Sequence, residues 1–337
     1  MTDQNQKSRK AEIQMKRWLL TVLVLILVVV LVAGVTIYRA PLLIADAIIR
    51  LHLRQQHVMS KFVDVDGYKI HYLEAMPQHL GGSAGSGVPL VLVHGLGARG
   101  EDWGNMIPTL AANGFHVYAL DLLGYGRSPK PDVDYSIGLE EKTVVDFMKA
   151  IKLDNADIGG WSMGGWIVLK LAVDHPELVR RLVVYDAAGI YFPATFEGSL
   201  FTPSNRQGLV KLQEMLTPAP KPLPGFIADA AIEKLQANAW VLNRSVAAMI
   251  GGKDLLDFQL HRIEKPTLIV WGREDSLIPL SVGQQMHQKI LASSLLVVSG
   301  CGHLAPSECA KPVTQGTLEF LEATAPQRDV ERTVAGH

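Results

Sequence analysis

Short apolar runs alternate with helical stretches from about residue 61 to residue 323, and this alternation leaves few folds open to the chain. Six runs of four or five residues have the continuous apolar character of strands buried on both faces: 89–93, 116–120, 156–159, 181–185, 267–271 and 295–299. Helical patterns separate most of them, at 102–113, 139–151, 163–174, 282–291 and 312–323. We therefore predict an α/β domain with a mostly parallel central sheet covered by helices.

Three segments of this region depart from the alternation. Residues 62–65 and 68–73 flank Asp66-Gly67, a strong signal for a β-hairpin. Residues 188–262 are helical, are interrupted by prolines and contain no clear buried strand. We interpret them as a helical cap inserted into an α/β domain formed by residues 61–187 and 263–323. The polar tail, residues 324–337, is predicted to be disordered.

An uncharged segment, residues 18–38, precedes this domain. At about 1.5 Å per residue its length matches the roughly 30 Å hydrocarbon layer, and Trp18 and Tyr38 stand at its two ends, as in transmembrane helices. Residues 1–17 carry five basic and two acidic side chains. The positive-inside rule then predicts a cytoplasmic tail and a catalytic domain on the opposite side, periplasmic in a Gram-negative host. A cleaved signal peptide is the alternative, but the apolar run is longer than a usual signal core.

Residues 39–60 link the predicted anchor to the α/β domain. Within them, apolar residues at helical spacing alternate with Arg50 and Arg54, which predicts an amphipathic helix. Its apolar face either lies in the membrane interface or packs against the core of the protein, and the sequence leaves both arrangements open.

Charge and cysteine content exclude several functional classes. The chain has 32 Lys plus Arg against 33 Asp plus Glu, so it has no positive field to attract nucleic acid, and no nucleic-acid partner is predicted. Its two cysteines, Cys301 and Cys309, lack the paired spacing of a zinc site, and we predict no metal site. They either form one bridge in an oxidising compartment or remain unpaired.

A candidate nucleophile lies in the pentapeptide GWSMG at residues 160–164. Glycines two positions before and after Ser162 allow a sharp strand-to-helix turn that points the hydroxyl outward. The serine then stands at a helix N-terminus, where backbone N–H groups can stabilise an oxyanion. Residues 81–85 also fit G-x-S-x-G, around Ser83, but neither a strand nor a helix pattern flanks them, so we assign Ser83 no role.

A serine hydroxyl becomes a good nucleophile only when a base takes its proton and an acid orients the base. The segments WGRED at 271–275 and GCGH at 300–303 each follow a buried strand, where open α/β sheets place their ligands. We predict His303 as the base and Asp275 as the acid, with Glu274 and Asp186 as positional alternatives to Asp275.

Across residues 62–321 the chain resembles the α/β-hydrolase superfamily. The resemblance is carried by VHGLG at 93–97, DLLGYGRS at 121–128, and the segments around Ser162, Asp275 and His303, which occur in the chain order of that family. With its anchor and cap the chain is similar to membrane-bound monoacylglycerol lipases and esterases. The resemblance implies an oxyanion hole formed by the backbone N–H groups of Leu96 and Met163. Within the same motifs, His94, Asp121 and Arg127 are predicted to hold loops and not to react.

The predicted function is hydrolysis of short- or medium-chain carboxylic esters or monoacylglycerol through an acyl-enzyme on Ser162. The partners are then a small-molecule or lipid ester and the membrane, and the mechanism requires no metal or organic cofactor. Apolar cap residues are candidates for the acyl pocket: Phe192, Phe196, Leu200, Phe201, Phe226, Ile227, Trp240 and Met249. One alternative is a carbon–carbon hydrolase of vinylogous diketones, whose elbow GWSMGG at 160–165 also fits. The other is a non-catalytic binding protein of the same fold, which usually lacks a triad member.

Overall fold

A computed structural model describes residues 2–77, 87–325 and 328–336, so Ser83 and its flanking glycines lie outside the described residues. Nine strands are described: β1 (Val58–Val65), β2 (Tyr68–Ala75), β3 (Val88–Val93), β4 (Phe115–Leu120), β5 (Ala156–Trp161), β6 (Val179–Tyr185), β7 (Thr267–Gly272), β8 (Ser293–Ser299) and β9 (Glu331–Ala335). The helices are α1 (Thr2–Arg39), α2 (Pro41–Gln55), α3 (Ile107–Ala112), α4 (Ile137–Ala150), α5 (Met163–Asp174), α6 (Arg206–Leu216), α7 (Gly225–Ala237), α8 (Ala239–Ile250), α9 (Leu280–Lys289), α10 (Ala305–Glu308) and α11 (Ala310–Glu322).

The strands form one sheet in the order β1-β2-β4-β3-β5-β6-β7-β8-β9. Pairing is antiparallel between β1 and β2 and between β2 and β4, and parallel across the rest of the sheet. The carboxyl ends of β3, β5, β6, β7 and β8 therefore meet at one edge, which brings together the loops that follow them. The predicted α/β fold, with its mostly parallel sheet, is confirmed.

Helices cover both faces of the sheet because its central strands are apolar on both sides. On one face the core includes α4, α5 and α9, with Val144, Ile167 and Met286 inaccessible to solvent. On the other it includes α3 and α11, where Leu110 and Val313 are equally inaccessible. Two apolar cores therefore fix the sheet from both sides, and the site at its carboxyl edge rests on a rigid base.

The predicted hairpin is confirmed at its turn. Asp66 and Gly67 both have positive φ, 52° and 81°, as a two-residue type I′ turn requires, and Val65 pairs with Tyr68.

The C-terminal tail differs from the prediction of a disordered segment over residues 324–337. Within it, β9 (Glu331–Ala335) pairs in parallel with β8 and forms an edge of the sheet. Its side chains are mostly exposed, so no apolar periodicity marked it, and backbone hydrogen bonding to β8 orders it instead.

Helix α1 begins with a polar segment, residues 2–17, and continues into a long apolar stretch. Within the described residues one helix, over Lys7–Arg39, is long and apolar enough to cross a membrane, and none of its most apolar window is buried. Helix α2 follows after Ala40, and Tyr38 stacks on Phe226 of α7 with ring centroids 5.6 Å apart. Residues 188–262 contain α6, α7 and α8 with two 3-10 turns, and no strand is described among them.

Candidate active site

Ser162 lies between β5 and α5 in a backbone conformation that is unusual for a residue with a side chain, with φ 57° and ψ −118°. The turn is held by hydrogen bonds from the Ser162 N–H to the Tyr185 carbonyl (2.9 Å) and from the Ala188 N–H to the Ser162 carbonyl (3.1 Å). A side chain on either flanking glycine, Gly160 or Gly164, would collide with backbone atoms. The G-x-S-x-G spacing thus permits the strained turn that presents the hydroxyl.

The structure brings the three predicted triad residues together. His303 Nε2 lies 2.8 Å from Ser162 Oγ, and His303 Nδ1 lies 2.8 Å from Asp275 Oδ2. All three side chains are largely buried, which excludes most water from the hydrogen-bonded chain. A serine in contact with a histidine that is itself oriented by a carboxylate has the geometry required to activate the hydroxyl as a nucleophile.

Asp275 is held by the loop that follows β7. Its Oδ1 accepts hydrogen bonds from the N–H groups of Leu277 (2.8 Å) and Ile278 (2.9 Å), which leaves Oδ2 for His303. Both positional alternatives have other partners. Glu274 Oε2 accepts from the N–H groups of Gly300 and Cys301, in the turn before His303.

Asp186, the second alternative, follows β6 and is completely buried. Its Oδ1 accepts the Gly272 N–H at 2.7 Å, and its Oδ2 has no hydrogen-bond partner among the described residues. Burial, followed by the charge of nearby Asp275, raises the pKa of Asp186 well above its usual value. A completely buried carboxyl group that bonds the Gly272 N–H instead of the histidine is poorly suited to orient that histidine.

The turn that carries His303 is fastened from several sides. Cys301 and Cys309 form a disulfide, which decides between the two arrangements that the sequence left open. The Gly302 N–H donates to Glu308, whose other oxygen accepts the Thr217 hydroxyl at 2.6 Å. Trp161 Nε1 donates to the His303 carbonyl at 2.8 Å, so the residue before Ser162 also holds His303 in place.

Replacing both cysteines, Cys301→Ser with Cys309→Ser, should lower the free energy of unfolding by about 2 to 3 kcal/mol, the loop-closure value for a bridge of short span. The two residues are eight positions apart. Urea unfolding with and without a thiol reductant measures the effect. Reductant should bring the wild type to the midpoint of the double variant and leave the variant unchanged; a wild type insensitive to reductant would contradict the prediction.

The loop after β3 lies directly against Ser162. A Cβ added to Gly95 would be 3.0 Å from Ser162 Cβ and 3.6 Å from its Oγ, so Leu96 comes next to the nucleophile in space. The N–H groups of Leu96 and Met163 donate no hydrogen bond to any described residue. The two groups are therefore still candidates for the oxyanion hole that the resemblance implies.

His94 and Asp121 connect this loop to the loop after β4. His94 Nδ1 donates to the Gly95 carbonyl (2.8 Å), and its Nε2 accepts the Leu122 N–H (3.1 Å); burial lowers the pKa of His94 and keeps it neutral. Asp121 accepts the N–H groups of Gly100 and Arg127, both at 2.7 Å, and pairs with buried His71. These contacts agree with loop-holding roles.

A cavity of about 770 Å³ opens onto Ser162 and His303, between the sheet edge and residues 188–262. Of the cap residues singled out from the sequence, Phe192, Phe196, Phe201 and Met249 line it. The other four do not: Phe226 stacks on Tyr38, Trp240 packs on Tyr135, and Leu200 and Ile227 are absent from the wall. Among the described residues, Asp102 is the one carboxylate in the wall, and no Lys or Arg contributes to it.

Asp102 and Glu308 are site residues that the sequence did not indicate. Asp102 stands in the cavity wall, and its Oδ2 accepts the Arg99 N–H at 2.9 Å. Burial, only partly offset by Arg99, raises the pKa of Asp102 to about 6. Neither residue belongs to a motif, and the order Gly-Glu-Asp-Trp at 100–103 gives no sign of the cavity. In the described part of the chain, no cluster of three or more His, Cys, Asp or Glu side chains is arranged to bind a metal ion.

Comparison with known proteins gives relatives of two kinds. A family model described as "alpha/beta hydrolase fold" matches residues 88–308. A 2-hydroxy-6-oxo-6-(2'-aminophenyl)hexa-2,4-dienoic acid hydrolase from Metapseudomonas resinovorans is 30% identical over 292 residues, 82% of this chain and 94% of the relative. A 2-hydroxymuconate semialdehyde hydrolase from Pseudomonas sp. (strain CF600) is 31% identical over 256 residues, 71% of this chain and 88% of the relative.

A solved structure adds the second kind. The crystal structure of a membrane phospholipase A, described as a bacterial virulence factor, superimposes with a TM-score of 0.74 at 28% identity. The match covers 91% of this chain and 98% of that chain. It leaves out fewer residues than the 38 of α1, so it includes part of that helix.

Proposed function

Because this chain belongs to the α/β hydrolase fold family, we propose that it is a membrane-anchored serine hydrolase of carboxylic esters with an apolar acyl chain. The substrate is then a short- or medium-chain acyl ester or a monoacylglycerol. The observation that carries the proposal is the cavity at Ser162, whose wall is mostly apolar and, within the described residues, has no Lys or Arg. An apolar acyl chain gains free energy from burial there.

The reaction proposed here is acyl transfer in two halves. Ser162 Oγ attacks the ester carbonyl while His303 Nε2 takes its proton, and Asp275 stabilises the imidazolium that forms. The Leu96 and Met163 N–H groups bind the oxyanion of the tetrahedral intermediate. His303 then protonates the departing alcohol, which leaves an acyl group on Ser162. Water then attacks the acyl group while His303 takes its proton, and the bond from the acyl carbon to Ser162 Oγ breaks as His303 returns the proton to Oγ, which releases a carboxylic acid and restores the serine.

A second candidate is carbon–carbon bond hydrolysis, supported by the two dienoate- and semialdehyde-hydrolase relatives and by the GWSMGG elbow at residues 160–165. The substrate named for the first relative is a carboxylic acid, which is ionised at neutral pH. Burying a carboxylate without a cationic partner is costly, and the one carboxylate in the described wall, Asp102, would repel it. The charge of the cavity therefore favours the ester.

The membrane anchor and its orientation are proposed as the sequence predicts them. We propose that α1 is a retained single-pass anchor with its N-terminus in the cytoplasm and the catalytic domain on the other side, the periplasm in a Gram-negative host. Two observations support it: the match to the membrane phospholipase structure extends into α1, and a disulfide persists best in an oxidising compartment. Alkylation of an introduced cysteine by a membrane-impermeant reagent, at residue 8 or at residue 221, tests the orientation.

An acyl-length series tests the substrate class. With p-nitrophenyl esters from acetate upward, kcat/KM should rise about fourfold per methylene until the cavity is filled, because each buried methylene contributes about 0.8 kcal/mol. It should exceed kcat/KM on a 2-hydroxy-6-oxodienoate by about a hundredfold or more, the cost of an unpaired buried charge. The reverse preference would establish the carbon–carbon hydrolase instead.

Met249→Trp tests whether the cavity binds the acyl chain and limits its length. The larger indole ring would fill part of the cavity, so we expect the acyl chain of the preferred ester to be shorter by about two methylenes or more. Met59→Trp is the matched control, because Met59 is exposed on β1 and lies outside the cavity. An unchanged length profile for Met249→Trp would place the acyl chain elsewhere.

A further inference from the structure

The loop after β3 is held by buried contacts and ends in a cationic residue, Arg99. His94 and Asp121 fasten it to the loop after β4, and the Ala98 N–H closes a turn on the Gly95 carbonyl at 3.2 Å. Arg99 follows that turn, three residues after Leu96, and its side chain extends to α2. The loop that carries a proposed oxyanion donor is therefore in direct contact with the helix next to the membrane anchor.

The contact is a two-point ion pair with Asp46. Arg99 Nη2 lies 2.6 Å from Asp46 Oδ1, and Nη1 lies 3.1 Å from Oδ2. The two side chains are only 18% and 16% exposed, so the pair is better shielded than a surface salt bridge. Its hydrogen bonds lower the pKa of Asp46 and raise that of Arg99, which keeps both groups charged.

Other charged groups surround the pair without replacing either partner. Glu101 Oε2 is 3.6 Å from Arg99 Nε, and Lys234 Nζ of α7 is 3.6 Å from Asp46 Oδ2. Among the described residues, the Asp46 carboxylate alone binds both terminal nitrogens of the guanidinium, an arrangement that fixes orientation as well as distance.

A second contact places α2 at the other end of the same segment. Leu53 is buried, and a Cβ on Gly104 would lie 3.2 Å from Leu53 Cδ2. Helix α2 therefore touches the segment 99–104 at both ends, while Asp102 of that segment lines the cavity. Of the other large apolar side chains of α2, Leu42 and Ile44 are half-buried, and Leu43, Ile48, Ile49 and Leu51 are exposed.

We propose that Asp46 is a positioning residue for the oxyanion hole, acting through Arg99 on the Leu96 N–H. The proposal rests on the proposed function, because it assigns to Leu96 a role in stabilising the intermediate. The turn from Gly95 to Ala98 transmits the position of Arg99 to Leu96 over three residues. A donor displaced by a few tenths of an ångström stabilises the oxyanion less, whereas substrate binding in the apolar cavity is unaffected. The helix adjoining the anchor is thus part of the catalytic apparatus.

Asp46→Asn and Arg99→Gln in the full-length, detergent-solubilised protein test the proposal. We expect kcat to fall about tenfold to a hundredfold with KM within about twofold, since one oxyanion donor is worth at most about a thousandfold. Affinity for a trifluoromethyl ketone, which forms a tetrahedral adduct with the serine, should weaken by the same factor as kcat. The kcat of the double variant should be no lower than that of the less active single variant, because both substitutions remove the same interaction.

Asp229→Asn is the matched control. Asp229 makes the same two-point pair with Arg206, at 2.7 and 2.6 Å, but on the exposed surface of the cap and away from the loop. It should leave kcat and inhibitor affinity unchanged. Titration of active sites with a fluorophosphonate normalises each rate to folded enzyme, so that loss of folded protein is not counted as loss of turnover.

The outcomes separate the two proposals. Asp46→Asn with unchanged kcat per titrated site, or with kcat and KM altered but inhibitor affinity retained, would overturn the positioning role while the proposed function stands. If Asp46→Asn lowered only the fraction of folded enzyme, the ion pair would have a structural role, and the positioning role would be overturned as well. A folded wild type that hydrolyses no ester would overturn both.

Discussion

Ser162→Ala should lower kcat for ester hydrolysis by about a millionfold, to the residual rate that binding and the oxyanion hole supply without a nucleophile. The strained turn at φ 57° presents Oγ to His303, 2.8 Å away, and alanine removes that atom alone. The measurement is single-turnover and steady-state hydrolysis of the best p-nitrophenyl ester. Because the substitution removes a single atom from a small side chain, we expect the melting temperature to change by only a few degrees.

Ser83→Ala is the control for this substitution, since Ser83 lies in the other G-x-S-x-G match of the sequence. It should retain full activity if the flanking strand and helix, and not the pentapeptide, make the nucleophile. A fluorophosphonate should label the wild type and Ser83→Ala but not Ser162→Ala. A folded wild type that resists labelling would point to the non-catalytic binding protein of the same fold.

The central sheet could be predicted because its strands are buried on both faces and are therefore continuous apolar runs. The predicted run at 267–271 differs by one residue from β7, and the predicted helix at 163–174 has the bounds of α5. The triad loops followed from the same reasoning, since residues after parallel strands meet at one edge of the sheet. Their proximity depended on topology alone, which the alternation of elements specifies.

The parts that escaped prediction depend on contacts between distant segments. Strand β9 is ordered by backbone pairing with β8, to which its mostly exposed side chains give no clue. Asp46 and Arg99 are 53 residues apart, and nothing in a local pattern distinguishes their pair from other surface charges. Phe226 and Trp240 look like pocket residues by composition, yet each packs on an aromatic ring outside the cavity. Apolar spacing reveals that a helix face is buried, but not what lies against it.

Substitution of Asp275, the proposed triad acid, should have the second large effect on turnover. Asp275→Asn should lower kcat about ten-thousandfold, because an amide can donate to His303 Nδ1 and would then favour the tautomer in which Nε2 is protonated and cannot accept the serine proton. The amide would also lose charge stabilisation of the imidazolium. The N–H groups of Leu277 and Ile278 would still meet an oxygen at Oδ1, so the fold of the loop should survive.

Asp186→Asn is the matched control, an isosteric change in the adjacent loop. Asp186 is buried, burial raises its pKa, and its bonded oxygen accepts the Gly272 N–H, whereas His303 bonds Asp275. An amide can preserve that contact, so kcat should change by less than about tenfold. If Asp186→Asn were instead the inactive variant and Asp275→Asn retained activity, the acid would follow β6 rather than β7. Because both carboxyl groups belong to the same sheet edge, the comparison separates orientation of the base from mere proximity to it.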